Sequence, residues 1–220
     1  MFVGHLALAF ASKRPSGNLS LGWLTAAVST ADLIWPFLLL AGVEHVEITP
    51  GAMAFTPLTF TAYPWSHSLL TLVVWGAVLA GIARWRGVAP RACLWLAALV
   101  VSHWVLDVAT HAPDMPLWPT ASSPKLGLGL WNSIPATLAI EGAMWIAGLA
   151  LYLRGRRARG WIGPVALWSF VLVTTALWAS GPWSPPPPTE RALAWFALIG
   201  WIVMPWAALA DRWYGEPHAP

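Results

Sequence analysis

Charge is what this sequence has least of. Only 10% of its 220 residues are Asp, Glu, Lys or Arg, against about 25% in soluble domains. So few charged groups cannot cover a water-soluble surface of this size, and a soluble globular protein is excluded. Cysteine is nearly absent as well. The single Cys93 excludes an internal disulfide and says nothing about redox compartment. A Gly-rich phosphate loop, a G-x-S-x-G elbow and an H-E-x-x-H helix are all missing, which argues against the chemistries those motifs carry. The opening "MFVGHLALAFASKR" has no positive charge ahead of its apolar run; Lys13 and Arg14 follow it. A secretory leader has the reverse order, so this segment is expected to be retained.

What is present is apolar. Hydrophobic residues make up 58% of the chain, with 18 tryptophans, a residue enriched at membrane–water interfaces. A spanning helix needs about 20 apolar residues. Six stretches qualify, at roughly 20–43, 67–85, 90–110, 133–153, 161–180 and 191–210. Residues 2–12 form a shorter apolar segment, and "PSGN" at 15–18 turns it back against the first span. The expected fold class is all-α: a polytopic membrane helix bundle of six transmembrane helices plus a short N-terminal half-helix. Two parts are expected. Residues 1–153 form a membrane metal-site domain, and 154–220 add two further helices to the same bundle.

Basic residues orient the chain. With Lys13 and Arg14 inside, the spans leave only Lys125 and Arg191 outside among the 12 Lys and Arg, a positive-inside pattern. The expected location is the cytoplasmic membrane, multi-pass, with both termini cytoplasmic. The net charge of +3 is thereby accounted for by topology, and no nucleic-acid partner is expected. Two long external loops, 44–66 and 112–132, are rich in Pro and Gly and are expected to cap the bundle. His45, Glu44 and Glu47 in the first loop read as solvated, and Asp114 in the second as a turn residue.

Ionisable residues inside spans are costly and usually functional. This chain has His5 in the short segment, Asp32 in the first span and His67 at the start of the second. His103, Asp107 and His111 lie on the third and Glu141 in the fourth. Depth brings them together. At about 1.5 Å per residue, Asp32 lies roughly 18 Å above the cytoplasmic end of its span and His5 roughly 12 Å above Lys13. His67 enters from outside, and Glu141 lies below the external end of its span. All seven converge in the outer half of the bilayer. Positions i, i+4 and i+8 share a helix face, so His103 and Asp107 can bind one metal, and His111 can reach the same ion or a second. Imidazole and carboxylate suit zinc, or manganese or iron. Each group alone has a plainer reading as a helix–helix hydrogen bond; the set, at one depth and partly in ligand spacing, favours a metal. Ser66, His67 and Ser68 do not make a nucleophilic site, because adjacent residues do not face each other on a helix.

The stretches "GHLALAFASKR", "ADLIWPFLLLAGVEHVEITPG", "AFTPLTFTAYPWSHSLL", "SHWVLDVATHAPDMPL" and "KLGLGLWNS" resemble the bacterial inner-membrane proteins called membrane-bound metal-dependent hydrolases, of the YdjM type. The resemblance covers about residues 1–153. It implies metal-dependent hydrolysis without naming a substrate. The His-x-x-x-Asp step is also similar to the metal-binding helix of zinc-dependent phospholipase C and related nucleases, soluble helical bundles holding several zinc ions. On that similarity His103 and Asp107 share one metal and His111 could belong to another. Those enzymes begin a ligand set at an N-terminal Trp, which this chain lacks.

The expected function is therefore a membrane hydrolase with a divalent metal, cleaving an ester or phosphoester of a lipid or lipid-linked substrate. His5, Asp32, His67, His103, Asp107 and His111 form the ligand pool. Asp107 and Glu141 are the catalytic candidates, with Glu141 as ligand or general base. Lys125 and Asn132 are the candidate substrate contacts. Membrane lipids are the expected partners, and the oligomeric state is left open. Two alternatives use the same cluster: a transporter or ion carrier, and a non-catalytic scaffold with a structural metal site.

Overall fold

The computed structural model describes residues 1–215; the end of the C-terminal part, 216–220, lies outside the described residues. Helices dominate, and short antiparallel hairpins join them at the loops. Helix α1 spans Val3–Ala11, α2 Leu21–Val28 and α3 Thr30–Leu40. The one-turn α4 (Pro64–His67) precedes α5 (Leu69–Trp85), α6 (Pro90–Thr110) and α7 (Ile134–Leu153). Helix α8 covers Ile162–Ser180; α9 (Glu190–Ala197) passes through a 3-10 stretch into α10 (Val203–Arg212).

The starts of these helices are written in short polar side chains. The hydroxyls of Ser20, Ser68, Ser133 and Thr189 accept from the amides of Trp23, Thr71, Ala136 and Ala192. Each thereby satisfies one backbone donor that has no intrahelical partner. Pro90 opens α6, where its missing N–H costs nothing.

Four helical stretches are long and apolar enough to cross a membrane: Pro90–Thr110, Ile134–Leu153, Ile162–Trp183 and Glu190–Arg212. Helices α2 and α3 count as a fifth only if taken together, because they are bent by 54° at Ser29. Six straight spans are not reached. The expected first span is broken. The expected second is shortened because "PWSH" closes as its own turn and Ser68 is extended, so α5 begins only at Leu69. Outward faces are apolar: Val73, Ile146 and Leu172 are all exposed, as a lipid-facing surface requires.

The short α1 sits at the centre. Its Phe10 ring meets the edges of Trp145, Tyr152 and Phe170 at 5.0–5.9 Å. Gly148 of α7 lets the α1 backbone approach; a Cβ there would lie 2.4 Å from the Ala7 carbonyl. Small residues bring membrane helices close in this way. At the far end of α1, Asp211 gathers four segments. It accepts from Lys13 Nζ (2.7 Å), the Leu21 amide (3.0 Å), the Tyr152 hydroxyl (3.1 Å) and Arg156 (2.8 Å).

Both long loops fold as caps. His45–Ile48 (β1) pairs with Leu58–Ala62 (β2), and Met115–Pro116 (β3) with Lys125–Leu126 (β4). The Phe55 amide donates to the Trp131 carbonyl and ties the two caps together.

Candidate metal centre

Asp107 is the hub. It is buried on α6, one turn above His103. Its Oδ2 lies 3.0 Å from His103 Nε2 and 4.0 Å from Nε2 of both His67 and His111. Its Oδ1 lies 2.9 Å from His5 Nε2 and also meets the amino group of Met1. Asp32, in the first turn of α3, places Oδ1 3.6 Å from His67 Nε2 and 3.9 Å from His103 Nε2. The ligand atoms of His5, His103 and Asp107 lie within 4.8 Å of one another, as do those of Asp32, His67 and His103. His103 belongs to both groups.

The other nitrogens of three histidines are occupied. His103 Nδ1 lies 2.7 Å from the Val28 carbonyl at the α2–α3 break and donates to it. His67 Nδ1 lies 2.6 Å from Ser66 Oγ, and Ser66 in turn donates to Glu44 Oε2 at 2.6 Å. His111 Nδ1 lies 3.1 Å from Asp114, which also accepts from the Tyr63 hydroxyl at 2.5 Å. Each partner can accept at Nδ1, which leaves each neutral ring a lone pair at Nε2, and all three Nε2 atoms face Asp107. Metal-ligating histidines are oriented in this way.

The Met1 amino group places one positive charge at Asp107 Oδ1, and the lone pairs gathered around Oδ2 form the donor set for a second cation. Protons alone serve poorly. The His5 and His103 rings stack at 3.8 Å and His67 stands 5.3 Å from His103, so imidazolium ions there would repel one another. His5 Nδ1 and His103 Nε2 are buried with no hydrogen-bond partner among the described residues. These residues fit a divalent metal with mixed N and O donors.

The surroundings suit neutral ligands. Burial, the largest influence, lowers the pKa of His111 and keeps the ring neutral. Burial, followed by the neighbouring Asp114 charge, raises Tyr63 well above the usual tyrosine range, so its hydroxyl stays a donor. The Phe60 and Trp131 rings flank His111 at 4.6 and 4.5 Å. Access is from one side. The Asp32 side chain is 49% exposed, while those of His5, His67, His103, Asp107 and His111 are at most 4% exposed.

The structure thus brings together His5, Asp32, His67, His103 and Asp107, with His111 at the edge. Two of these arrive differently from the sequence expectation. His67 lies on α4 rather than on a span. Helix α6 stops at Thr110, and His111 is extended, so it approaches Asp107 from the loop and not along the helix face. Glu141 stands apart from the cluster. Its Oε2 accepts from the amides of Phe2 and Gly4 at the start of α1, and its Oε1 is buried without a partner. It therefore positions the helix that carries His5. Lys125 and Asn132 are exposed in the second cap.

Glu44 is a correction. Expected to be solvated, it is fully buried and accepts from the Trp65 and Ser66 amides as well as from the Ser66 hydroxyl. Ser66 and His67 also meet, despite being adjacent. Nδ1 lies close to its own backbone and can reach a neighbour's Oγ. A loop carboxylate carries no periodic signal; only its position two residues after "LAG", where α3 ends, marks it as close to the bundle. His45 and Glu190 form an exposed pair at 3.6 Å.

A bent, caps-covered bundle of apolar helices with a His/Asp cluster defines the class: a polytopic membrane protein with a candidate metal centre. The family follows from comparison. A family model described as YdjM inner membrane protein matches residues 6–183, and the chain belongs to that family. The match runs past residue 153 through α8, further than the motifs quoted above. No curated protein and no solved structure matches the chain.

Proposed function

We propose that this protein is a membrane-embedded metal-dependent hydrolase that cleaves an ester or phosphoester of a lipid or lipid-linked substrate. The observation that carries this reading is the shared orientation of His67, His103 and His111. Each commits Nδ1 to an acceptor and turns Nε2 toward Asp107.

In this reading His67, His103, Asp32 and Asp107 hold a divalent ion, zinc by donor type, with His5 and His111 completing the set. Such an ion supplies Lewis acidity toward an ester or phosphoryl oxygen. The chain does the rest. Asp32, the most exposed of the ligand side chains, would hold the ion at the side from which water and substrate arrive. Glu141 fixes α1 and with it His5. Phe60 and Trp131 shield His111 from water. Beside them a cavity of about 280 Å³, lined by Phe2, Phe55, Phe60, Trp131 and Trp178 among others, suits an acyl chain more than a sugar. In this reading the cluster lies in the outer half of the membrane and faces the periplasm, a placement that the excess of basic residues at the other end of the spans supports.

The test is elemental analysis of the purified protein beside His103→Ala, followed by hydrolysis assays on phospholipid vesicles and lipid phosphodiesters. Bound metal and lipid hydrolysis, both lost in H103A, are expected. Wild type without metal, under conditions that preserve the fold, would end this reading. Metal without activity would point to the structural-site alternative.

The Glu44 relay makes a separate prediction. Glu44→Gln should weaken metal binding roughly 10- to 100-fold, the usual effect of losing an outer partner of a ligand histidine. Glu47→Gln, on the same loop, should leave it unchanged. Chelator competition distinguishes the two.

A further inference from the structure

A second charged site lies at the end of the bundle marked by basic residues. The turn after α1 and the turn between α5 and α6 enclose a cavity of about 920 Å³, lined by Arg14, Ser16, Asn18, Arg86, Arg91 and Trp95 among others. No carboxylate lines it. Among the described residues none of the three arginines forms an ion pair.

The contrast with their neighbours is informative. Lys13, next in sequence to Arg14, is paired with Asp211, and so is Arg156. The fold neutralises these two buried cations with a carboxylate and leaves three arginines around an open cavity. Arginine forks bind phosphate oxygens in pairs, which a lysine cannot do.

The rim is apolar. Trp85 is 82% and Leu94 72% exposed, and Ile82 and the lining residue Trp95 are exposed as well. Trp85 and Arg86 form the end of α5, while Leu94 and Trp95 lie on the first turns of α6. A ligand here meets a cationic cavity and a lipid-facing surface together. That combination suits an amphiphile, and a free anion would use only half of it.

We propose that Arg14, Arg86 and Arg91 form a binding site for the phosphodiester headgroup of an anionic phospholipid, its chains lying along the exposed faces of α5 and α6. The site is independent of the proposed hydrolase reading. Arg91 and His103 lie in opposite halves of α6, roughly 18 Å apart at about 1.5 Å per residue, which makes the lipid a bound partner and not the substrate.

The full-length protein in detergent is titrated with phosphatidylglycerol, with phosphatidylcholine and with inorganic phosphate, and bound lipid is counted by native mass spectrometry. Phosphatidylglycerol should be retained in preference to phosphatidylcholine. Arg86→Gln and Arg91→Gln should each weaken that retention on the order of fivefold, as expected for about 1 kcal/mol per basic residue. Arg84→Gln, outside the cavity, should not. Millimolar phosphate should fail to displace the lipid. Equal retention of both lipids, an equal effect of R84Q, or displacement by phosphate would each overturn the proposal. The first outcome would mean adhesion through the apolar rim alone, the second general surface charge, and the third a free-anion site. Unchanged melting of R86Q and R91Q in phosphatidylcholine shows that they fold; if either does not, the other carries the test.

Discussion

Asp107→Asn is expected to release the metal. The substitution keeps size and shape and leaves an amide oxygen to accept from the Met1 amino group, but it removes the charge on which five groups converge. An amide also cannot present two acceptor oxygens, and its NH2 would face a histidine lone pair. Affinity should fall by more than about 100-fold, beyond the 10- to 100-fold loss typical of an outer partner. Metal content after dialysis and hydrolytic activity should vanish together. Unchanged thermal unfolding of the metal-free forms would show that the fold survived. Stoichiometric metal retained by D107N would place the ion elsewhere and remove Asp107 as hub.

The second large effect is one of stability. Asp211 neutralises two cations whose side chains are each about 10% exposed. Removing one member of a buried ion pair costs about 3–5 kcal/mol, because the remaining charge stays buried. Asp211→Ala strands both Lys13 and Arg156 and also leaves the Leu21 amide and the Tyr152 hydroxyl without this acceptor. It should destabilise the protein by at least that range, measured by unfolding in detergent. Asp211→Asn, which can still accept hydrogen bonds, should cost less. Equal effects of the two would mean that the charge carries the whole contribution, whereas an Asn variant as stable as wild type would mean that the charge is immaterial.

Much of the centre is legible in the sequence. The step from His103 to Asp107 is a local helical relation that any α-helix reproduces. The convergence of His5, Asp32 and His67 follows from depth, which span boundaries and arginines already set. What was not legible depends on tertiary direction. Glu141 has the right depth, yet it turns toward the amides at the start of α1, and no linear pattern records that choice. Glu44 sits in a loop whose hairpin folds it inward. Asp211 lies just past the last apolar run and gains its importance only when α1, α2, α7 and α10 meet. The fold behaved likewise. Helical content was readable from composition, whereas the break at Ser29 and the separate turn at "PWSH" were not.

That break has a consequence for how the site is encoded. In a continuous helix the Val28 carbonyl would accept from the amide of Asp32. Here no such bond forms, and the carbonyl is free for His103. The partner that sets the tautomer of a ligand histidine is thus main chain, supplied by the bend itself. The side chain at position 28 is an apolar core residue and offers the site no ligand or hydrogen-bonding group. Position 28 therefore serves the site by conformation, while its residue type answers only to packing. Any search for this site through shared side chains will pass over it, while a change that straightens the helix at Ser29 would silence His103 from a distance.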